Sequence, residues 1–198
     1  MDQCKITAIV DPFIPKLLDC LQGGCQDYLK HYRDFLHIHT KRTRASITRD
    51  HIKDRIRRNF ATDKSARIIE KRDGLFLLEL AKQVLLRFKK LNSRKCSSNI
   101  PTTQAKGFYR QLPMIEGQHR TNLNAGYIAN ETWTGFEFYI TEPSGSRSNA
   151  WVMAIHKEPL SQSIFDITPV KIQKPKRITA KTVFKKKPKG ADNESTSA

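Results

Sequence analysis

The residues best suited to chemistry in this chain are cations that leave its most apolar stretch. Within Val84 to Gln104, VLLRFKKLNSRKCSSNIPTTQ, Arg87, Lys89, Lys90, Arg94 and Lys95 follow directly on an apolar run, and no acid lies between Glu79 and Glu116. A charge run in a free tail is merely solvated, whereas cations anchored to a packed element keep fixed positions and can face phosphates. Asn99, Thr102 and Gln104 come next and add amide and hydroxyl groups suited to sugars or base edges. DNA or RNA is therefore the expected partner of Arg87, Lys89, Lys90, Arg94, Lys95, Asn99, Thr102 and Gln104. An acidic protein partner, or simple solvation of a loop, would account for the same residues less specifically.

Catalysis is less legible, and the sequence assigns no catalytic residue. Glu70, Asp73 and Glu79 precede Lys89 in an order loosely similar to the acid-acid-lysine sets of restriction-type nucleases, which leaves a metal-dependent nuclease as the alternative reading. Two residues before Lys89, where that pattern wants a carboxylate, stands Arg87. His31, His37, His39 and His51 cluster in sequence, but zinc prefers four ligands in compact pairs and no cysteine is nearby, so neither metal nor cofactor is expected. Tyr109, Tyr127, Trp133 and Trp151 would stack on bases if exposed, yet core packing is the expectation for aromatics of this kind.

These side chains need elements to position them. Apolar residues from Ile14 to Leu36 recur at three and four, as an amphipathic helix requires, with Gly23 and Gly24 allowing either one bent helix or two short ones. A second helix is expected from about Ile47 to Asn59 on the stripe Ile52, Ile56 and Phe60, capped by Ser46 or Thr48. Arg49, Lys53 and Arg57 flank that stripe and read as a solvated rim.

Ala66 to Glu70 reads as a strand and Lys71 to Gly74 as a turn. Leu75 to Leu91 fits a helix or two strands turning at Ala81, Lys82 and Gln83, and the preceding Asp-Gly favours strands. On that reading Val84, Leu86 and Phe88 face the core, while Leu85, Arg87, Lys89 and Leu91 share the opposite face. Asn92 to Lys106 is expected as a loop, and Leu123 to Asn130, Trp133 to Thr141 and Asn149 to Ile155 as a three-stranded meander.

The fold class that follows is α+β: a helical region, 1–63, packed in one core with an antiparallel β-rich region, 64–170, and then a disordered basic tail, 171–198. The formal net charge is +17, and the tail, with nine Lys/Arg against two acids, supplies less than half of it. The folded part is thus basic in its own right. Disorder is expected in the tail because KIQKPKRITAKTVFKKKPKG has too little apolar surface to offset the entropy of ordering. Four cysteines without C-x-x-C spacing, and no apolar leader before Asp11, point to a reducing, cytoplasmic compartment. No stretch is apolar enough over roughly 20 residues to span a membrane.

Arg87-Phe88-Lys89-Lys90-Leu91, then Ser98-Asn99-Ile100-Pro101-Thr102-Thr103-Gln104, followed by Gln111-Leu112, Gly126-Tyr127 and Trp151, resembles a family of uncharacterised bacterial proteins over roughly residues 46 to 155. Members of that family lie beside regulators that join a helix-turn-helix domain to a metallopeptidase-like domain, a layout similar to toxin-antitoxin or phage-defence pairs. The resemblance implies a toxin-like effector with an acidic antitoxin-like partner, and it supports strands for Leu75 to Leu91. It implies no catalytic residue.

Overall fold

The computed structural model describes residues 2–72, 74–97, 100, 102–115 and 118–156. All of them belong to one compact unit. Expectations for the basic tail, and for Asp73 and Asn99, lie outside the described residues.

Three helices come first: α1 (Gln3–Val10), α2 (Ile14–Tyr32) and α3 (Lys41–Phe60). α2 runs unbroken through Gly23 and Gly24, and its packing explains why glycine is needed there. A Cβ on Gly24 would lie 2.8 Å from the backbone nitrogen of Ile52, and one on Gly23 would lie 2.3 Å from the Arg55 guanidinium. The helix pair therefore approaches backbone to backbone, and Arg55 locks it by donating two hydrogen bonds to Asp27 at 2.6 and 2.9 Å. α3 starts six residues earlier than Ile47, because Thr40 caps it by accepting from the Thr43 N–H at 3.1 Å. Thr48 is no cap. It is fully buried in line with Ile52, Ile56 and Phe60, at the spacing of four that keeps one helix face on the core.

The remaining elements are β1 (Ala66–Glu70), β2 (Phe76–Leu80), β3 (Val84–Lys90), the short helix α4 (Thr103–Tyr109), β4 (Thr121–Ala129), β5 (Phe136–Pro143) and β6 (Asn149–His156). They form an α+β fold with one six-stranded sheet in sequence order. β2 and β3 meet at a tight turn in which Ala81 and Lys82 both take positive φ, 48° and 56°, and Gln83 N–H donates to the Leu80 carbonyl at 3.0 Å. This turn suits the right-handed twist of a hairpin and settles Leu75 to Leu91 as strands. β4, β5 and β6 are the expected meander, each antiparallel to the next.

The sheet is mixed, however, because β3 and β4 pair in parallel from Val84↔Thr121 to Lys90↔Tyr127. Parallel neighbours need a crossover connection, and α4 supplies it from a segment expected to be wholly loop up to Lys106. Thr102 caps α4 by accepting from the Ala105 N–H at 3.1 Å. With only seven residues and Gly107 inside it, α4 has little intrinsic helix stability, so burial of Ala105, Phe108 and Tyr109 must hold it.

Alternation along the strands gives the sheet two different faces. Phe76, Leu78, Val84, Leu86, Phe88, Leu123, Ala125, Tyr127, Phe136 and Phe138 face the main core with α2 and α3. Leu75, Leu77 and Leu85 form a smaller cluster with α4 on the other side. Trp133 and Tyr127 are buried, so these aromatics pack in the core and are unavailable for base stacking.

Candidate nucleic-acid interface

Strand β3 changes character halfway along. β2 pairs with it only from Leu80↔Val84 to Leu78↔Leu86, whereas β4 stays paired as far as Lys90. Arg87 to Lys90 therefore extend beyond the β2 ladder. A cleft of about 430 Å³ opens there, bounded by β3, the start of α3, Gly74 in the β1–β2 turn, and the segment leading into α4. Arg87, Lys89 and Lys90 line it together with Thr102 and Gln104, so five of the eight residues picked from sequence converge on one recess.

The cations in this cleft are unusual in lacking counter-charge. Arg87 is 8% exposed and its Nη1 is buried without a hydrogen-bond partner among the described residues, as is the Nε of Arg49, which reaches the cleft from α3. The Arg87 guanidinium lies over the Phe108 ring at 5.4 Å, which fixes its plane without neutralising it. No acid is among the described residues lining the cleft. Among the described residues, Arg42, Arg49, Arg87 and Lys89 make no ion pair, although α3 is well supplied with pairs elsewhere. Arg55 pairs with Asp27, Arg57 with Glu70 and Arg58 with Asp54, so the C-terminal half of that helix is neutralised and the cleft-facing half is left positive.

The cost shows in the protonation of these groups. Burial, then Arg87, Arg49 and Lys53, push the Lys89 ammonium down to about 7. Burial also lowers Arg87, with Arg49 adding to the effect and Tyr109 opposing it. Lys90 is lowered by burial and by Lys41 and Arg44, and its Nζ sits over the Trp133 ring at 5.4 Å. Such an arrangement is electrostatically incomplete, and an anion entering the cleft would relieve all three groups at once.

Lys89 is held in place from behind. Gly126 sits opposite it in β4, and a Cβ there would lie 2.3 Å from the Lys89 carbonyl oxygen. Only glycine permits this approach. On the same sheet face, Asn124 stands opposite Arg87 and Thr141 opposite Asn124, both essentially unexposed. Among the described residues, neither end of the Asn124 amide nor the Thr141 hydroxyl has a hydrogen-bond partner. A polar row thus runs from the cleft wall into the sheet, against the usual rule that buried polar groups are paired.

Other expected site residues lie apart. Arg94 is exposed on the turn after β3, and Lys95 points its Nζ over the Tyr139 ring at 5.6 Å while its carbonyl accepts from Asn149 at 3.0 Å. Neither lines the cleft. Of the acid-acid-lysine set, Glu70 is held by Arg57 at 2.7 Å, and Glu79 is buried against Arg120. Among the described residues, no three His, Cys, Asp or Glu side chains are grouped to hold a metal ion. His31 and His51 stack at 6.1 Å, and the Nδ1 of His39 hydrogen-bonds the Tyr28 hydroxyl at 3.0 Å.

Sequence reasoning missed Arg42 and Arg49. Their signal was the excess of ten Lys/Arg over three Asp between Lys30 and Arg58, together with the position of Arg49 beside the apolar stripe of α3. Comparison with protein-family models, with curated proteins and with solved structures finds no match, so the function of the cleft rests on its own residues.

Proposed function

We propose that this protein binds nucleic acid, RNA or DNA, by seating backbone phosphate in the cleft between α3 and the end of β3. The observation that carries this reading is the set of unpaired cations, buried Arg87 with half-buried Arg49 and Lys89, in a recess whose described lining residues include no carboxylate. Phosphate is the ligand that such a set suits, because guanidinium groups offer forked donors and a fixed positive field. Thr102 and Gln104 at the rim supply polar groups for sugar or base. A single strand is the form proposed as ligand, because its flexible backbone can bring one phosphate into such a recess.

In a toxin-like setting of the kind the resemblance implies, an acidic partner would compete for the same cations. Filter binding of a single-stranded oligonucleotide tests the reading. Arg49→Gln and Arg87→Gln should each weaken binding by about tenfold, the worth of one charge-assisted hydrogen bond, while leaving the fold intact by circular dichroism. Unchanged affinity in both variants would reject the cleft as the binding site.

A further inference from the structure

The cleft has a buried inner end and an open mouth. Arg87, Arg49 and Lys89 occupy the inner end, whereas Thr102 is exposed and Ile100 is 71% exposed at the rim. A phosphodiester inside a strand carries one negative charge and a sugar on each side, so both chain directions must pass out through the mouth. A phosphomonoester carries up to two charges and a single substituent. Against the two permanent charges of Arg49 and Arg87 at the inner end, a diester leaves one uncompensated, whereas a dianion matches both and favours a charged Lys89 as well.

Resting on the nucleic-acid reading above, we propose that the cleft selects a terminal phosphate: a nucleotide phosphomonoester seats its phosphate among Arg49, Arg87 and Lys89, with the nucleoside toward Thr102, Gln104 and Ile100. The same chemistry is offered by the phosphorylated end of a single strand and by a free nucleotide.

The charges around Lys89 agree with a dianion. Arg87 stands two residues away on its own strand, Arg49 and Lys53 face it from α3, and Tyr109 of α4 acts on Arg87. Two acids nearby among the described residues are committed elsewhere: Asp50 lies 3.5 Å from Lys53, and Glu70 holds Arg57. With Lys89 held near 7, a dianion arriving above that pH restores the ammonium, so binding takes up a proton from solvent.

The test is isothermal titration of the full chain at about pH 8, above the lowered value for Lys89, in two buffers of different ionisation enthalpy. Four ligands are compared: a nucleoside 5′-monophosphate, and one short oligonucleotide carrying a 5′-phosphate, a 3′-phosphate or neither. The phosphorylated ligands should bind at least about tenfold tighter than the unphosphorylated strand. Their binding should also take up a proton, and Lys89→Gln should abolish that uptake.

A mononucleotide that matches the phosphorylated strand assigns the site to free nucleotides, and a strand that is clearly tighter assigns it to strand ends. If the unphosphorylated strand binds as well as the phosphorylated ones, selection of a terminal phosphate is overturned while nucleic-acid binding stands. If no ligand binds, both fall. Proton uptake by the unmodified protein provides a readout that does not depend on how any variant folds.

Discussion

Lys89→Met should make the protein more stable while weakening its affinity for nucleic acid. A lysine held at about 7 in the fold and near its ordinary 10.5 in the unfolded chain opposes folding whenever it must be charged. At pH 7 the full shift corresponds to at most about 4 kcal/mol, and relaxation and partial solvation of the head group bring a realistic figure to about 2 kcal/mol. Methionine keeps the stem and discards the charge, so that cost is returned as stability. For a folded unit of this size the gain is a rise in Tm of about 4–8 °C.

The sign of the pH dependence follows from the direction of the shift. Between pH 7 and 10.5 the unfolded chain holds more protons at this position than the folded one, so wild-type stability rises with pH across that window. The advantage of Lys89→Met should therefore be largest below pH 7 and shrink toward pH 10.5. Thermal or urea denaturation of both proteins at about pH 6, 8 and 10 measures it, with single-stranded oligonucleotide binding followed in parallel. A variant that is less stable than wild type at pH 6, or one that still binds as tightly, would refute the idea that Lys89 is an electrostatic cost retained for an anion.

Further outcomes follow from the packing around the cleft. Gly126→Ala places a methyl group 2.3 Å from the Lys89 carbonyl, so it should destabilise by about 1–3 kcal/mol and weaken binding in the same variant, read by denaturation and filter binding. Glu79→Gln leaves Arg120 buried without its counter-charge, which should cost about 3–5 kcal/mol in denaturation experiments. Replacing Arg94 and Lys95 together by Gln should change affinity by less than about threefold in the same assay, because both lie outside the cleft and are worth only what screened surface charges are worth.

The parts of this architecture with a strong local period were readable from the residues. Leu86 to Lys89 alternates apolar and charged residues, which on the strand reading puts Arg87 and Lys89 on one face, and the turn at Ala81 and Lys82 decides for strands. What escaped was non-local. α4 is too short and too glycine-weakened to announce itself, and without it the parallel pairing of β3 with β4 has no visible cause. Arg49 read as a solvated rim because its helix pattern cannot show that β2 leaves β3 after Leu86 and opens a recess beside it. Conversely, Arg94 and Lys95 are sequence neighbours of the site, but the turn after β3 directs them away. Gly23 and Gly24 left the continuity of α2 open for the same reason: the partner that demands glycine, Ile52, is 28 residues from Gly24.

The central claim is that the unpaired cations of the cleft hold phosphate, and the salt dependence of binding tests it most directly. For a single-stranded oligonucleotide, the logarithm of the affinity of the unmodified protein should fall linearly with the logarithm of salt between about 50 and 200 mM. Removing Arg49 and Arg87 together should make that slope shallower by about 1.4, two phosphate contacts at roughly 0.7 each. A flat salt response, or a slope that the double substitution leaves unchanged, would contradict the account.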